Sequence, residues 1–217
     1  MDEHIQSIIV DVLEGDLPGV QSGVATALES GLPAGRILHE GLIAAMAEVG
    51  ARFEREEFFV PEMLVSARAM QGGLALLKPH LLSSNVKAVG TVVLGTVKGD
   101  LHDIGKNLVG MMMEGAGFEV IDLGTDVPAE RFVEAARSHN ADLMGLSALL
   151  TTTMPNMKAV IEALDTHGFR NQVRVIVGGA PVTKAFAEKI GADGYAPDAS
   201  QAVALAKQLI ESGSAGR

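Results

Sequence analysis

The sequence predicts an α/β protein in two parts, a bundle of four helices followed by a parallel sheet covered by helices. Two observations lead to this prediction. Over the first eighty residues, apolar side chains recur every three or four positions, which is the period of a helix buried on one face. Beyond residue 87, short β-branched runs alternate with helical segments, and this alternation is typical of a parallel sheet with helices on both faces.

Four apolar stripes define the helices of the first part. They lie within residues 5–13, 20–28, 38–53 and 59–77. Glycine and proline residues within 15–18 and 31–33 fall where one helix should end and the next begin. We expect the four helices to bury their stripes against one another.

Residues 79–87 break the helical period and carry polar side chains typical of a loop. They are the predicted boundary between a bundle domain over 1–82 and an α/β domain over 88–212. We expect movement of the bundle to take place about this segment.

Five apolar runs define the strands of the second part. They are residues 89–97, 119–123, 143–147, 173–177 and a weak run over 194–196. The helices between and after them are predicted over 104–116, 129–139, 155–167, 183–190 and 199–211, and residues 212–217 are expected to be a frayed tail.

Composition excludes several classes of function. The 217 residues include no cysteine, so disulfides, thiolate metal sites and cysteine nucleophiles are absent. A formal net charge of −10, 4% aromatic residues and no tryptophan argue against a nucleic-acid-binding surface. The longest apolar runs are shorter than the roughly 20 residues of a bilayer span, and no basic leader is visible, so a soluble, cytoplasmic protein without a membrane partner is expected.

The loop after the first predicted strand carries the strongest candidate for metal chemistry. Ligands of open parallel sheets bind beyond the carboxyl ends of the strands, and His102 lies there, two residues after Asp100. A neutral imidazole is a good ligand for a transition metal, and its second nitrogen commonly donates to a carboxylate. Gly99 and Gly105 would let the chain turn closely on either side. The alternative is a surface histidine, with Asp103 capping the next helix.

Two further loops follow predicted strands at the same edge. The loop after the third strand presents a run of hydroxyls ending at Thr153, where a polar ligand or a hydrogen-bond relay would need them. Its alternative role is to cap the helix that begins near Pro155. Gly178 and Gly179 follow the fourth strand, either to let backbone amides approach a ligand or simply to make a turn.

Taken together, Asp-x-His-x-x-Gly over 100–105, Ser-x-Leu over 147–149 and Gly-Gly over 178–179 resemble the cobalamin-binding module of methionine synthase. A helical bundle followed by this module alone resembles the free-standing corrinoid proteins of methylamine, methanol and methoxy-compound methyltransferase systems. The resemblance extends from about residue 5 to residue 210. It implies a flavodoxin/Rossmann-like domain of five parallel strands that binds cobalamin or a related corrinoid, whose cobalt alternates between methylcob(III)alamin and cob(I)alamin.

The resemblance also assigns roles to individual residues. His102 would be the lower axial ligand of cobalt, Asp100 would accept a hydrogen bond from its other nitrogen, and Thr153 would continue the relay, where methionine synthase has serine. The cofactor-binding residues that it implies are Gly99, Asp100, His102, Asp103, Ile104, Gly105, Ser147, Leu149, Thr151, Thr153, Gly178, Gly179, Tyr195, Ala196 and Asp198.

The bundle has a role in the same resemblance. Phe59 and Met63 lie in a segment that resembles the capping helices of methionine synthase, and they would cover the methyl-bearing face of the cofactor. Their alternative role is bundle core. A covered cofactor cannot meet a large partner enzyme, so the bundle would swing aside for each transfer.

The function implied is that of a methyl carrier without a complete active site. A substrate-specific corrinoid methyltransferase would charge the corrinoid, and a second methyltransferase would pass the methyl group to coenzyme M or tetrahydrofolate. A reductive activase is a further implied partner. Methylamines are the first choice of donor, with methanol, methoxylated aromatics and glycine betaine open.

Three alternatives are kept. A cobalamin-dependent sensor shares the bundle and module, but needs an attached signalling domain and usually a tryptophan above the cofactor; the sequence has no tryptophan. A mutase small subunit shares the module but generally lacks the bundle. A flavodoxin-like receiver or nucleotide-binding domain would hold no cobalt at all.

Overall fold

The structure is a computed structural model that describes residues 2–83 and 88–214. By its internal contacts the chain divides into two compact units. One comprises residues 1–88 with 114–117, and the other comprises residues 89–113 with 118–217. The first is helical, and the second contains the sheet.

The helices of the first unit pack against one another, as their apolar stripes predict. They are α1 (Glu3–Glu14), α2 (Leu17–Glu29), α3 (Ala34–Arg36), which continues through a π-helical segment (Ile37–Ile43) into α4 (Ala44–Glu54), and α5 (Val60–Ser83). Capping agrees with the sequence: Asp2 accepts from the His4 amide at 3.0 Å, and Gly15 ends α1 with a left-handed φ of 71°. Two of the fully buried side chains are Ile8 and Val24.

The π-helical segment has a visible cause in the spacing of buried residues. Two rows with a constant spacing of four are buried along 37–50, one starting at Ile37 and one at Leu38. In an α-helix of 3.6 residues per turn, a strict spacing of four drifts steadily around the axis. A π-helical turn holds more residues, so it rotates the rows back and keeps both facing the core.

Helix α5 corrects one prediction of the sequence analysis. The expected loop over 79–87 is helical as far as Ser83, and Pro79 lies inside the helix. Proline removes one backbone hydrogen bond and kinks a helix, but it does not have to end it. Residues 84–87, the rest of the expected hinge, lie outside the described residues.

The second unit contains a sheet of five parallel strands, as predicted, and the strands lie in the order β2-β1-β3-β4-β5. The strands are β1 (Thr91–Thr96), β2 (Glu119–Asp122), β3 (Leu143–Ser147), β4 (Arg174–Gly178) and β5 (Gly194–Tyr195). Each predicted strand is present with ends shifted by up to two residues. For example, Val97 is not in β1 but forms an isolated bridge with Val127.

Helices cover both faces of this sheet, which confirms the α/β fold class. They are α6 (Ile104–Gly115), α7 (Ala129–Ser138), α8 (Pro155–Thr166), α9 (Lys184–Ile190) and α10 (Ala199–Ser214). On one face, Val93 and Met144 share a buried cluster with Phe132 of α7 and Met157 of α8. On the other face, Leu94 lies beneath α6, where a Cβ on Gly110 would be 3.3 Å from it.

The end of the chain differs from the prediction. Helix α10 extends to Ser214, whereas residues from 212 onward were expected to be frayed. Residues 215–217 lie outside the described residues. Within the described ranges, none of the helices combines the length and apolarity that crossing a bilayer requires.

Candidate functional site

Strand register brings the three loops singled out by the sequence to one edge of the sheet. The last residue of β1, Thr96, lies opposite Ser147 of β3, and Ser147 lies opposite Gly178 of β4. Parallel strands that end in register deliver their following loops to the same place. The loop after β1, with His102, therefore meets the loop after β3, with Thr153.

Asp100 lies at the centre of this meeting point and is fully buried. Its Oδ1 accepts hydrogen bonds from the His102 amide at 3.1 Å and from His102 Nδ1 at 2.7 Å. Its Oδ2 accepts from the amides of Leu149 at 2.8 Å and Leu150 at 3.2 Å, and from Thr153 Oγ1 at 2.7 Å. One carboxylate thus connects the two loops.

These hydrogen bonds decide the charge of Asp100. Burial by itself raises the pKa of a carboxyl group, and it is the largest single influence here. The hydrogen bonds from Thr153, from the His102 ring and from the amides of Leu149 and His102 act together in the opposite direction and hold the pKa of Asp100 well below its usual range. Asp100 is therefore an ionised acceptor at neutral pH.

The ring of His102 is oriented from one side and open on the other. Nδ1 lies against Asp100, and half of the side chain is exposed. Within the described ranges Nε2 has no hydrogen-bond partner. The backbone carbonyl of His102 accepts from Thr96 Oγ1 at 2.9 Å, and Thr96 is fully buried, which ties the loop to the sheet. An imidazole fixed through Nδ1 presents Nε2 as a free ligand.

Exposed apolar side chains lie in and next to the two loops that Asp100 connects. Leu101 is 73% exposed and Ile104 is 75% exposed. In the loop after β3, Leu149 and Leu150 are each 42% exposed. Large apolar side chains grouped around a polar ligand atom are typical of a binding surface. The group suits a broad, largely apolar ligand with a metal at its centre.

The glycines of the predicted site fall into two kinds. Gly105 has no atom within 4 Å of the place where a Cβ would be, so packing within the chain does not require glycine there, and the space is free for a ligand. A Cβ on Gly178 would lie 2.9 Å from the Ala196 carbonyl oxygen. Gly179, with φ of 124°, would place a Cβ 2.0 Å from the Ala148 carbonyl oxygen. These two glycines are required by the fold itself.

Three further predicted residues of the α/β unit, Ser147, Thr151 and Asp103, do not bond to Asp100 in the described structure. Thr151 is exposed and Ser147 half-buried. Asp103 precedes α6, where its carbonyl accepts from the Asn107 amide at 2.7 Å and its carboxylate accepts from Asn107 Nδ2 at 3.1 Å.

The predicted residues near β5 have structural partners of their own. Tyr195 packs against the buried cluster, and Ala196 is buried. The carboxylate of Asp198 accepts from the amide and the side chain of Gln201 at 2.8 Å and 2.7 Å, so it caps α10. Within the part of the chain that the structure describes, none of these three forms a hydrogen bond with Asp100 or His102.

The two bundle candidates differ in exposure. Phe59 is 61% exposed, whereas Met63 is fully buried. Met63 therefore lies in the packed interior, and it would have to become exposed before it could contact a ligand.

Sequence reasoning missed several residues that hold the His102 loop. Asp126 accepts from the Gly99 amide at 2.7 Å, and Asn156 Nδ2 donates to the Lys98 carbonyl at 2.7 Å. The side chain of Lys106 is buried and pairs with Asp122. The signal that could have found Asp126 is its position after the second strand, at the same carboxyl edge as the other loops.

The donor set fits a metal that brings most of its own ligands. Among the residues that the structure describes, no three histidine or acidic side chains come together as a metal site. The oriented imidazole of His102 would supply one ligand, and a macrocycle would supply most of the others. Cobalt held in a corrin ring meets this requirement.

Comparison with known proteins agrees with this geometry. The B12 binding domain family matches residues 90–204, and a second B12 binding domain family matches residues 5–78. Dimethylamine corrinoid protein 1 from Methanosarcina acetivorans is 46% identical over 210 residues, which is 96% of this chain and 98% of that protein. The dimethylamine corrinoid protein from Methanosarcina barkeri is 51% identical over 175 residues, 80% of this chain and 82% of that protein.

A solved structure gives the same result. The methanol:cobalamin methyltransferase complex MtaBC from Methanosarcina barkeri matches with a TM-score of 0.87 and 32% identity, covering all of this chain and 81% of that chain. The matching families imply a cobalamin or related corrinoid cofactor, and such a cofactor contains cobalt. The chain therefore belongs to the family of B12-binding corrinoid proteins that carry methyl groups in methyltransferase systems.

Proposed function

We propose that the protein carries a methyl group from a donor-specific methyltransferase to a second methyltransferase, on a corrinoid whose cobalt is ligated by His102. The observation behind this proposal is the His102–Asp100 pair, in which a fully buried, ionised carboxylate fixes one ring nitrogen at 2.7 Å and leaves the other open. The bound corrinoid would supply the cobalt that accepts and releases the methyl group. The chain would supply its lower ligand and its surroundings.

The residues of the site would divide this work. Asp100 would hold the tautomer and the orientation of His102, because a neutral imidazole that donates from Nδ1 presents a lone pair at Nε2. Thr153 and the amides of Leu149 and Leu150 would keep Asp100 ionised through both halves of the methyl cycle.

The other residues assigned by the family resemblance are proposed as lining. Leu149 and Ile104 would contact the ring through their exposed side chains, and Gly105 would leave room for it. Further candidates along the cofactor are Gly99, Asp103, Ser147, Thr151, Gly178, Gly179, Tyr195, Ala196 and Asp198, with Phe59 and Met63 of the bundle.

Dimethylamine is the proposed methyl donor. Two relatives named for dimethylamine are 46% and 51% identical to this chain, whereas the structure named for methanol is 32% identical. A carrier must fit its donor-specific methyltransferase, so overall identity is informative about that partner. The second partner would be an acceptor methyltransferase acting on coenzyme M or tetrahydrofolate, and a reductive activase would restore an oxidised cofactor.

The ligand assignment is tested by reconstitution. The apoprotein and the His102→Ala variant are each loaded with hydroxocobalamin, and their absorbance spectra are compared. We expect the variant to lose the spectrum of histidine-ligated cobalt while it keeps its circular dichroism, because a half-exposed loop side chain contributes little packing. An unchanged spectrum would remove His102 as the ligand.

The donor assignment is tested with partner enzymes. The loaded and reduced protein is mixed with a dimethylamine-specific methyltransferase or, in parallel, with a methanol-specific one, and formation of methylated corrinoid is followed by absorbance. Methylation in the first mixture at a rate well above the second is expected. A faster reaction with methanol would overturn the choice of donor and leave the carrier function standing.

A further inference from the structure

We propose that Asp126, in the loop between β2 and α7, is a positioning residue that holds the His102 loop and thereby sets how firmly the imidazole is presented to cobalt. The inference rests on the proposed role of His102 as the ligand. It concerns a residue outside the motif over 100–105, reached from a different strand of the sheet.

Asp126 contacts the His102 loop twice, through its side chain and its backbone. Its Oδ1 accepts from the Gly99 amide at 2.7 Å, and its own amide donates to the Asp100 carbonyl at 3.0 Å. The two bonds therefore hold consecutive residues, and the second of these is the carboxylate residue that orients the imidazole. A loop held at adjacent donor and acceptor groups cannot pivot there without breaking both bonds.

The backbone of Asp126 is held in an uncommon conformation. Its φ is 54°, and in the described ranges only Glu56 and Asn140 share a positive φ among residues other than glycine. Aspartate tolerates the left-handed region better than most side chains, but the conformation still costs energy. Such conformations persist where the surrounding structure enforces them, and they cluster at functional sites.

The neighbouring residue anchors Asp126 to the sheet. The amide of Val127 donates to the Thr96 carbonyl at 3.0 Å, and Val127 is buried. Thr96 is also the residue whose hydroxyl holds the His102 carbonyl. Asp126 is thus held against the sheet by its neighbour. Its own bonds to Gly99 and Asp100 then fasten the His102 loop to this part of the sheet.

Asp126 has no ion pair within the described ranges, and it is exposed. The hydrogen bonds of Asp126 go to Gly99 and Asp100 of the His102 loop. Removal of its carboxylate therefore takes away the acceptor of the Gly99 amide and leaves only the backbone bond to Asp100.

The test uses the full chain with histidine labelled by ¹⁵N, loaded with hydroxocobalamin and reduced to cobalt(II). A ¹⁵N ligand splits the EPR lines into two and the ¹⁴N of the cofactor's own base splits them into three, so the spectrum reports the fraction of protein with histidine bound. We expect Asp126→Ala to lower the ratio of bound to unbound histidine about fivefold, the effect of one lost hydrogen bond.

Two further variants separate the loss of the side-chain acceptor from the effect of the left-handed backbone conformation. Asp126→Asn keeps a side-chain acceptor and tolerates the left-handed conformation, so it should retain the wild-type ratio. Asp126→Gly removes the strain together with the acceptor, so it should behave like Asp126→Ala. In the apoprotein, hydrogen exchange at the Gly99 amide should speed up in the alanine and glycine variants and stay slow in the asparagine variant.

Asn140→Ala is the matched control. Asn140 has a similar φ of 49° but lies between α7 and β3, at the opposite edge of the sheet, so its substitution should cost stability and leave the EPR ratio unchanged. A wild-type ratio in Asp126→Ala, or an equal fall in Asn140→Ala, would overturn the inference while the His102 assignment stands. A wild-type protein without ¹⁵N splitting would overturn both.

Discussion

At the scale of single residues, the site depends on how completely one buried carboxylate is satisfied. Asp100 accepts five hydrogen bonds, two at Oδ1 and three at Oδ2, from groups on both loops. An acceptor with every direction occupied has no place for a proton, which is why its charge is stable. The sequence predicted the bond to the His102 ring and the relay through Thr153. It did not indicate the bonds from the backbone amides of Leu149 and Leu150.

Replacement of Asp100 by asparagine should destabilise the apoprotein in a pH-dependent way. The amide group of asparagine would face donors, so Asp100→Asn should cost about 1–3 kcal/mol in the free energy of unfolding at pH 7. The folded-state pKa of Asp100 is lowered, so the stability that its charge provides is present above the unfolded-state pKa of about 3.9 and is lost as the pH falls toward the folded-state value.

Urea unfolding of both proteins between pH 7 and pH 3 measures this effect. The difference between wild type and variant should narrow below about pH 4. Asp103→Asn is the control, because the Asp103 carboxylate is exposed and, among the described residues, bonds only the Asn107 side chain, so its change in the free energy of unfolding should stay within about 0.5 kcal/mol at each pH. A difference between wild type and Asp100→Asn that is constant with pH would contradict the argument.

At the scale of elements, a buried lysine fastens α6 to the end of β2. The side chain of Lys106 is 1% exposed and that of its partner Asp122 is 44% exposed. Lys106 Nζ also donates to Asn107 Oδ1 at 2.6 Å, and Asp122 Oδ1 accepts from the Gly124 amide at 2.9 Å. The pair joins the helix that begins beside the His102 loop to the strand end that leads to Asp126.

The unequal burial of this pair predicts unequal mutational costs. Asp122→Ala leaves a buried ammonium without its counter-charge, and we expect a loss of about 3 kcal/mol. Lys106→Met replaces the buried cation with an apolar chain of similar size and leaves an exposed aspartate that water can solvate, so we expect a loss of at most about 1.5 kcal/mol. Chemical denaturation of the two variants measures both values, and equal losses would mean that burial does not govern the pair.

Two glycines of the bundle, Gly41 and Gly73, differ in the space around them and so in the expected effect of an alanine substitution. A Cβ on Gly41 would meet its nearest atom, in Ile8, at an ordinary 3.5 Å, whereas a Cβ on Gly73 would lie 2.8 Å from Val20 and 3.2 Å from Leu42. Gly41→Ala should therefore raise the stability of the bundle by about 0.5–1 kcal/mol, because alanine favours helix over glycine. Gly73→Ala should lower stability. Thermal denaturation measures both, and a melting temperature lowered by Gly41→Ala would show that the π-helical segment requires glycine.

At the scale of the whole molecule, the sheet determines where the candidate site forms. The edge formed by the ends of β1, β3 and β4 gathers loops that are separated by 25 or more residues in the chain, and the ligand candidate, its acceptor and the relay hydroxyl come together there. Corrinoid binding at this edge should be coupled to the folding of the unit that contains the sheet.

Loading with corrinoid should raise the free energy of unfolding of that unit. A ligand bound only by the folded state adds about 2.7 kcal/mol at a free concentration one hundred times its Kd. Hydrogen exchange of strands β1 and β3 with and without hydroxocobalamin measures the gain. The gain should be smaller in His102→Ala at the same cofactor concentration, and equal protection in both proteins would argue that His102 contributes nothing to binding.

The sequence by itself determined the order and type of the elements, because apolar periodicity reports which face of each segment is buried. It also predicted the pairing of Asp100 with His102, because residues two positions apart in a short loop stay close to each other. Only the tertiary structure decided that α5 continues through Pro79 and that Asp126 and two backbone amides hold the ligand loop. Those contacts join residues 27 to 50 positions apart, and their geometry depends on strand register, which local patterns do not specify.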